Sequence, residues 1–179
     1  DSNRYWELLN RFDLPVKQEI GSFSKGMKVK MNFAIALAHH AELLLLDEAT
    51  SGLDPVMRDD VLDLLLDFVQ SEKHGVLFST HIMSDLSKIA DYIAFLHEGK
   101  LLFFKSKDEL IYRYGLIHCG EKLFREIDHD DILAWRKQEY EYQILVADRE
   151  TAARKYKDCV IDPATLDSIM LLNIRGKKV

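Results

Sequence analysis

The chain has 179 residues, of which 47% are hydrophobic, and its 24 basic and 30 acidic residues give a formal net charge of −6. This length fits one domain or one and a half, the apolar share is sufficient for a hydrophobic core, and the acidic balance argues against nucleic-acid binding through bulk charge. The two cysteines, Cys119 and Cys159, are too few for a disulfide framework or a zinc cluster, so we expect buried, reduced thiols.

The first predicted elements are two helices separated by a segment that contains glycine and serine. Apolar residues at helical spacing predict a helix over residues 1–12 and a largely buried helix over residues 27–41, with Ser24 as the N-cap of the second. The start of this second helix would bring backbone N–H groups, the helix dipole, a serine hydroxyl and Lys25 together, which suits a phosphate. An ordinary capped helix explains the same residues equally well, so both interpretations stay open at this point.

A run of four leucines at residues 43–46 leads directly into Asp47 and Glu48. Such a short apolar run is typical of a strand buried on both faces in a parallel sheet, and ligands bind outside the carboxyl ends of these strands. One carboxylate at that end can hold a hard cation and the next can polarise a water molecule. The alternative is a helix that begins at an Asp47 cap, and it is less favoured because that helix would be far shorter than usual.

Strand and helix patterns alternate after this point. Asp54 and Pro55 fit the cap and the first position of a helix, and a strand over residues 76–80 ends just before His81. The elements that follow are a short helix at residues 82–90, a third strand at 91–96 and a hairpin turn at 97–100. An antiparallel strand at 101–104 and a helix from a Ser106 cap to Tyr114, stopped by Gly115, come next. The strand–helix order predicts right-handed crossovers and a parallel sheet.

The pattern changes at residue 116, which we take as the start of a small α+β appendage over residues 116–179. Its predicted elements are strands at residues 116–119, 142–147 and 159–161, charged helix-like segments up to residue 140, and helices at 148–156 and from Asp162-Pro163 to Leu172.

No P-loop is present in the sequence. Gly21 and Gly26 have the spacing of the motif G-x-x-x-x-G-K-[ST], but Met27 occupies the place of the lysine and no apolar strand precedes Gly21. The motif therefore fails both on its residues and on its context.

Four segments, taken together, resemble motifs of an ABC ATPase, the nucleotide-binding domain of ATP-binding cassette transporters. F-S-K-G-M at residues 23–27 is similar to the signature motif LSGGQ, and residues 43–47 resemble the Walker B strand, with Glu48 at the place of the catalytic glutamate. S-G-L-D at residues 51–54 resembles the D-loop, and His81 resembles the switch histidine. Each motif alone is a weak signal, but the four in this order and spacing are specific.

The resemblance covers residues 1–115 and implies an α/β fold with a P-loop NTPase-like (RecA-like) parallel sheet and flanking helices. Lys25 stands where the signature has glycine and Met27 where it has glutamine, a variant that looks like the bacterial exporter branch. The P-loop and the Q-loop, which precede the signature in this family, are absent, so we expect an incomplete cassette, its C-terminal part. Residues 116–179 resemble the accessory extension of such exporter ATPases, including the pattern P-x-T-L-D-x-I-M.

The resemblance also implies catalytic roles. Asp47 would hold Mg²⁺, and Glu48 would act as general base on the water that attacks ATP. His81 would hydrogen-bond the γ-phosphate, which places all three side chains around the reacting group.

In this family two cassettes face each other head to tail, and each ATP lies between the P-loop of one and the signature of the other. The signature residues Ser24, Lys25, Gly26 and Met27 would therefore contact the partner's nucleotide, and Asp54 would lie at the dimer seam. The implied partners are a second cassette, identical or different, and a separate transmembrane permease. The expected location is cytoplasmic, on the inner face of the cell membrane.

Two other functions share the same fold. The first is a soluble ABC ATPase that acts on the ribosome or on DNA, and the acidic balance and the lack of a basic arm weigh against it. The second is a non-catalytic regulatory cassette, which usually has a degenerate catalytic glutamate or switch histidine. Since Glu48 and His81 are both present, we rank this reading last.

Overall fold

The computed structural model describes residues 1–178, which group into two compact units, Asp1–Ile89 and a second that begins at Ala90. Within these residues, no helix has both the length and the apolar character that a membrane crossing requires. The predicted domain boundary after residue 115 stays a prediction, since contacts alone divide the chain at residue 90.

Two helices open the first unit, as the sequence predicts, and the structure adds an N-cap at Asp1 to the predicted one at Ser24. Helix α1 (Ser2–Arg11) begins at Asp1 and helix α2 (Lys25–Ala38) begins at Ser24, with a short 3₁₀ turn, Ile20–Ser22, between them. In each case the cap side chain accepts a hydrogen bond from a backbone N–H of the first turn that has no acceptor inside the helix.

A parallel strand pair forms the sheet of this unit. Strands β1 (Leu43–Asp47) and β2 (Gly75–Ser79) pair in parallel, and the connection between them contains helix α3 (Pro55–Phe68). Helix α4 (Met83–Ile89) follows β2. The predicted strand–helix–strand–helix order is therefore confirmed up to residue 89.

The prediction that these strands are buried on both faces is wrong for the described chain. Leu44 is 4% exposed, but Leu43, Leu45 and Leu77 are 59%, 69% and 67% exposed. Successive side chains of a strand point to opposite faces, so one face meets the packed helices and the other stays open. The buried face joins side chains of α1, α2 and α3 in a single core, which contains Leu8, Leu9, Phe33, Ala34, Leu37, Leu44, Val61, Leu64, Leu65 and Phe68.

The second unit begins with an antiparallel hairpin of β3 (Tyr92–His97) and β4 (Lys100–Ser106). The predicted turn and antiparallel strand are confirmed, but β3 pairs with β4 alone among the described strands instead of extending the parallel sheet. The turn residues Glu98 and Gly99 both have positive φ, 48° and 73°. Two such residues form the tight connection that brings β4 directly alongside β3.

A π-helical segment, Glu109–Arg113, takes the place of the helix predicted from a Ser106 cap. The Ser106 hydroxyl still accepts a hydrogen bond from the N–H of Glu109 at 3.2 Å. Gly115 ends this segment, as predicted, and it also opens the next strand.

A four-stranded antiparallel sheet organises the remainder, in the order β6–β7–β5–β8. Its strands are β5 (Gly115–Cys119), β6 (Ala134–Lys137), β7 (Tyr142–Val146) and β8 (Val160–Pro163), and its helices are α5 (Glu121–Phe124), α6 (Arg149–Lys155) and α7 (Leu166–Arg175), with a 3₁₀ turn at His129–Asp131.

Two predictions for this part are corrected. Strand β6 lies where charged, helix-like sequence was predicted, because its pairing with β7 overrides the local pattern. The last helix begins at a Thr165 cap and not at Pro163, which instead pairs with Gly115 at the end of β8.

Candidate functional site

The carboxyl ends of β1 and β2 meet at Asp47 and Ser79, which occupy paired positions of the two strands. The Ser79 hydroxyl donates a short hydrogen bond to Oδ1 of Asp47. The N–H of Glu48 donates to the Ser79 carbonyl at 3.0 Å and lies 3.3 Å from its hydroxyl oxygen. Ser79 therefore fixes both predicted carboxylate residues at the edge of the sheet.

Glu48 and His81 are in direct contact across this edge. Nδ1 of His81 lies 2.9 Å from Oε1 of Glu48 and 2.7 Å from Oε2, and Oε2 is shielded from solvent without a hydrogen bond of suitable direction. Glu48 has a φ of 50°, in the left-handed region, which costs a non-glycine residue about 1 kcal/mol. Strain of this kind is characteristic of functional sites.

A second cluster surrounds the start of helix α2. The Ser24 hydroxyl accepts a hydrogen bond from the N–H of Met27 at 3.2 Å, while the side chain of Lys25 reaches away from the helix. The ammonium group of Lys25 donates to the Ser51 carbonyl at 2.9 Å. A Cβ atom at Gly26 would meet the side-chain methyl group of Met57 at the start of α3, so α2 approaches α3 closely here.

The loop between β1 and α3 joins the two clusters. Ser51 donates its N–H to the Glu48 carbonyl at 3.0 Å and accepts from Lys25, so it contacts both predicted motifs. At the far end of the loop, the carboxylate of Asp54 accepts from the N–H groups of Val56 and Met57, each at 3.1 Å, and caps α3 as predicted.

A buried pair lies in the same loop. The Thr50 hydroxyl donates a 2.6 Å hydrogen bond to Oδ2 of Asp85 in α4. Thr50 is 0% exposed and Asp85 is 1% exposed, and among the described residues these are the two buried polar side chains of the first unit. Thr50 follows Glu48 by two positions, and Asp85 follows His81 by four, so the pair ties together the segments that carry the exposed contact.

The side chains at this edge can transfer protons and can offer carboxylate oxygens to a cation. Glu48 can accept a proton, His81 can share one with it, and the exposed Asp47 has a second carboxylate oxygen besides the one that Ser79 engages. Within residues 1–178, no three His, Cys, Asp or Glu side chains converge as a metal cage. The exposed carboxylate of Asp47 offers the oxygen chemistry that Mg²⁺ prefers, and Mg²⁺ commonly combines one or two carboxylates with phosphate oxygens and water.

Sequence comparison identifies proteins that are similar to this chain. The family model described as "ABC transporter" matches residues 1–51. The ABC transporter ATP-binding protein YtrB of Bacillus subtilis is 28% identical over 186 residues, which cover 96% of this chain and 62% of that protein. The bacitracin transport ATP-binding protein BcrA of Bacillus licheniformis is 40% identical over 86 residues, which cover 48% of this chain and 28% of that protein.

The chain is similar to ABC transporter ATP-binding proteins.

A solved structure supports the same similarity at the level of the fold. A metal-chelate type ABC transporter in an inward-facing conformation superposes with a TM-score of 0.56 at 24% identity, over 80% of this chain and 55% of that chain. The predicted P-loop NTPase-like fold is confirmed by this similarity. The chain spans less than two thirds of the length of these relatives.

Three residues of this candidate site were not predicted from the sequence: Ser79, Thr50 and Asp85. Ser79 had a local signal, since it lies two positions before His81 at the end of a predicted strand. Thr50 and Asp85 had none, because 35 residues separate them and each alone reads as an ordinary polar residue.

Proposed function

We propose that this chain is part of the ATP-binding subunit of an ABC transporter, in which ATP hydrolysis at a head-to-tail dimer of cassettes drives a separate membrane permease. The observation that supports this most directly is the contact between Glu48 and His81 beside Asp47, at the carboxyl ends of two parallel strands. The relatives are named as transport proteins, which favours this function over one on ribosomes or DNA. The subunit would work on the cytoplasmic face of the membrane, beside its permease.

The roles follow from position and charge. Glu48 accepts the proton of the attacking water, because its carboxylate lies at the strand end directly after Asp47 and is positioned there by Nδ1 of His81 at 2.9 Å. His81 holds Glu48 in place and is exposed enough, at 71% of its side chain, to reach a phosphate group. Asp47 would hold Mg²⁺, which neutralises phosphate charge when bound.

The signature residues act on a different nucleotide from that of their own cassette. The start of α2 is an anion site formed by N–H groups, with Ser24, Lys25, Gly26 and Met27 in its first turn. Since a cassette's own P-loop already cradles its phosphates, this second site serves the ATP of the partner. Asp54 caps α3 beside it and would lie at the dimer seam.

The 179-residue chain alone should not hydrolyse ATP, because it contains no P-loop to provide the ground-state phosphate contacts. Steady, Mg²⁺-dependent turnover by the purified chain would contradict this.

The decisive test places the variant Glu48→Gln in a longer protein that contains this chain and a P-loop. The amide keeps the shape but cannot accept a proton, so hydrolysis should fall by about a hundredfold to ten-thousandfold while ATP binding persists. Glu98→Gln is a matched control, since Glu98 is also an exposed glutamate with positive φ, in the β3–β4 turn. Equal turnover of the two variants would exclude Glu48 as the general base.

A further inference from the structure

Glu48 and His81 lie on two separate chain segments. One buried hydrogen bond, between Thr50 and Asp85, joins these segments. The side chains of Glu48 and His81 are 40% and 71% exposed, so packing around each of them is incomplete. The Thr50 hydroxyl and Oδ2 of Asp85, 2.6 Å apart, are excluded from solvent.

We propose that Thr50 and Asp85 are positioning residues for the Glu48–His81 pair: their hydrogen bond fixes the distance between the loop after β1 and the helix after β2. The inference concerns the geometry of this pair, and its importance for turnover rests on the proposed function.

The short chain distances support this assignment. Thr50 lies two residues after Glu48, and the intervening loop is held by the Ser51 N–H to Glu48 carbonyl bond at 3.0 Å. Asp85 lies four residues after His81, and its N–H donates to the Ile82 carbonyl at 3.1 Å in the first turn of α4. Because both segments are this short, a shift of the Thr50–Asp85 pair would also move Glu48 and His81.

The burial of a carboxylate gives the second argument. An aspartate is rarely buried fully unless it is paired, since removing its charge from water is costly. An apolar residue would pack this helix equally well without that cost. Asp85 is therefore better explained by a requirement for a directional contact to Thr50 than by packing.

The test uses the 179-residue chain and the ¹⁵N chemical shifts of the His81 ring at one fixed pH, with Glu48→Ala as the reference for a lost contact. In Thr50→Val, which removes the hydroxyl and keeps the shape, the Nδ1 shift should move at least halfway to that reference. Thr50→Ser keeps the hydroxyl and should restore the wild-type shift. A wild-type shift in folded Thr50→Val would overturn the proposal.

A second variant guards against loss of folding, because Thr50→Val leaves Asp85 buried without its partner. The double variant Thr50→Val, Asp85→Val removes both polar groups. It should destabilise the fold far less than Thr50→Val alone, because no buried polar group is left without a partner. It should fold and still show the displaced His81 shift. Failure of both variants to fold, while Thr50→Ser folds, would assign the pair to folding alone and reject a positioning role.

The kinetic arm uses the longer protein with its P-loop. Thr50→Val should lower kcat by about ten- to hundredfold with the KM for ATP within about twofold, as a displaced catalytic group does. A raised KM at unchanged kcat would overturn the proposal. If the unmodified longer protein has no ATPase activity, the proposed function fails, and the His81 shifts still decide the positioning inference.

Discussion

The ammonium group of Lys25 lies 2.9 Å from the carbonyl oxygen of Ser51, so the first residue of α2 holds the loop that follows β1. The two residues are 26 positions apart. Lys25 was predicted as a nucleotide contact, and in this structure it also makes a contact within its own chain. The loop from Thr50 to Asp54 is therefore held from two sides, by Lys25 at the surface and by Asp85 in the interior.

Lys25→Met should loosen this loop without unfolding the chain. Hydrogen exchange of the Ser51 and Leu53 amides, which bond to Glu48 and Thr50 within the loop, should become about fivefold faster, equivalent to about 1 kcal/mol. Lys28→Met is the matched control, since Lys28 is exposed on the same helix and its side chain makes no hydrogen bond or ion pair in the described part of the chain. Equal exchange rates in the two variants would show that Lys25 does not hold the loop.

Gly52→Ala should cost more stability than Gly99→Ala. Both glycines have left-handed backbone, with φ of 68° and 73°, so each alanine variant should lose about 1 kcal/mol of unfolding free energy. A Cβ atom at Gly52 would also meet the ammonium group of Lys25, whereas Gly99 has open space around it. Urea denaturation measures the difference, which should vanish when both variants are made in a Lys25→Ala background. A difference that persists there would point to another contact.

Stability should fall at alkaline pH because of Cys119. Burial raises the pKa of this thiol from its ordinary 9.0 to about 11, so the unfolded chain loses the proton first. Above pH 9 the folded state therefore binds more protons than the unfolded state. The stability that the protonated Cys119 thiol contributes is complete below pH 9 and is lost as the pH rises to about 11.

Cys119→Val is the comparison for this effect, since it keeps an apolar side chain and removes the titrating group. Unfolding free energies measured by urea denaturation across this pH range should fall more steeply for the unmodified chain than for the variant. Parallel curves would mean that the folded thiol ionises as easily as the unfolded one.

Gly26→Asp should block the proposed contact with the partner's nucleotide and leave ATP binding by one cassette intact. The variant should be inactive alone, and mixing it with a P-loop-defective form of the longer protein should restore partial ATPase activity through one intact composite site. Gly21→Asp is the control, since a Cβ atom at Gly21 meets nothing within 4 Å. Loss of monomer nucleotide binding in Gly26→Asp would indicate a site within one chain.

Local sequence predicted the helices and their caps well. Ser24 and Asp54 begin α2 and α3 where their side chains satisfy the first backbone N–H groups, and this chemistry involves residues three positions apart or fewer. The order of the four motifs is likewise visible in the sequence without any tertiary structure. Prediction was weaker in the second unit, where β6 forms through its pairing with β7 and not through its own residue preferences.

By itself, the sequence determined the parallel strand–helix–strand unit, the caps of α2 and α3, and the resemblance to ABC ATPases that Glu48 and His81 help to carry. Only the tertiary structure decided that β1 has an open face, that β3 pairs with β4, that Ser79 contacts Asp47 and that Thr50 contacts Asp85. The physical reason is the separation along the chain between the residues that interact. Caps and periodicity act within one or two turns of chain, whereas the Thr50–Asp85 and Asp47–Ser79 bonds join residues 35 and 32 positions apart, and neither partner shows in isolation what it will meet.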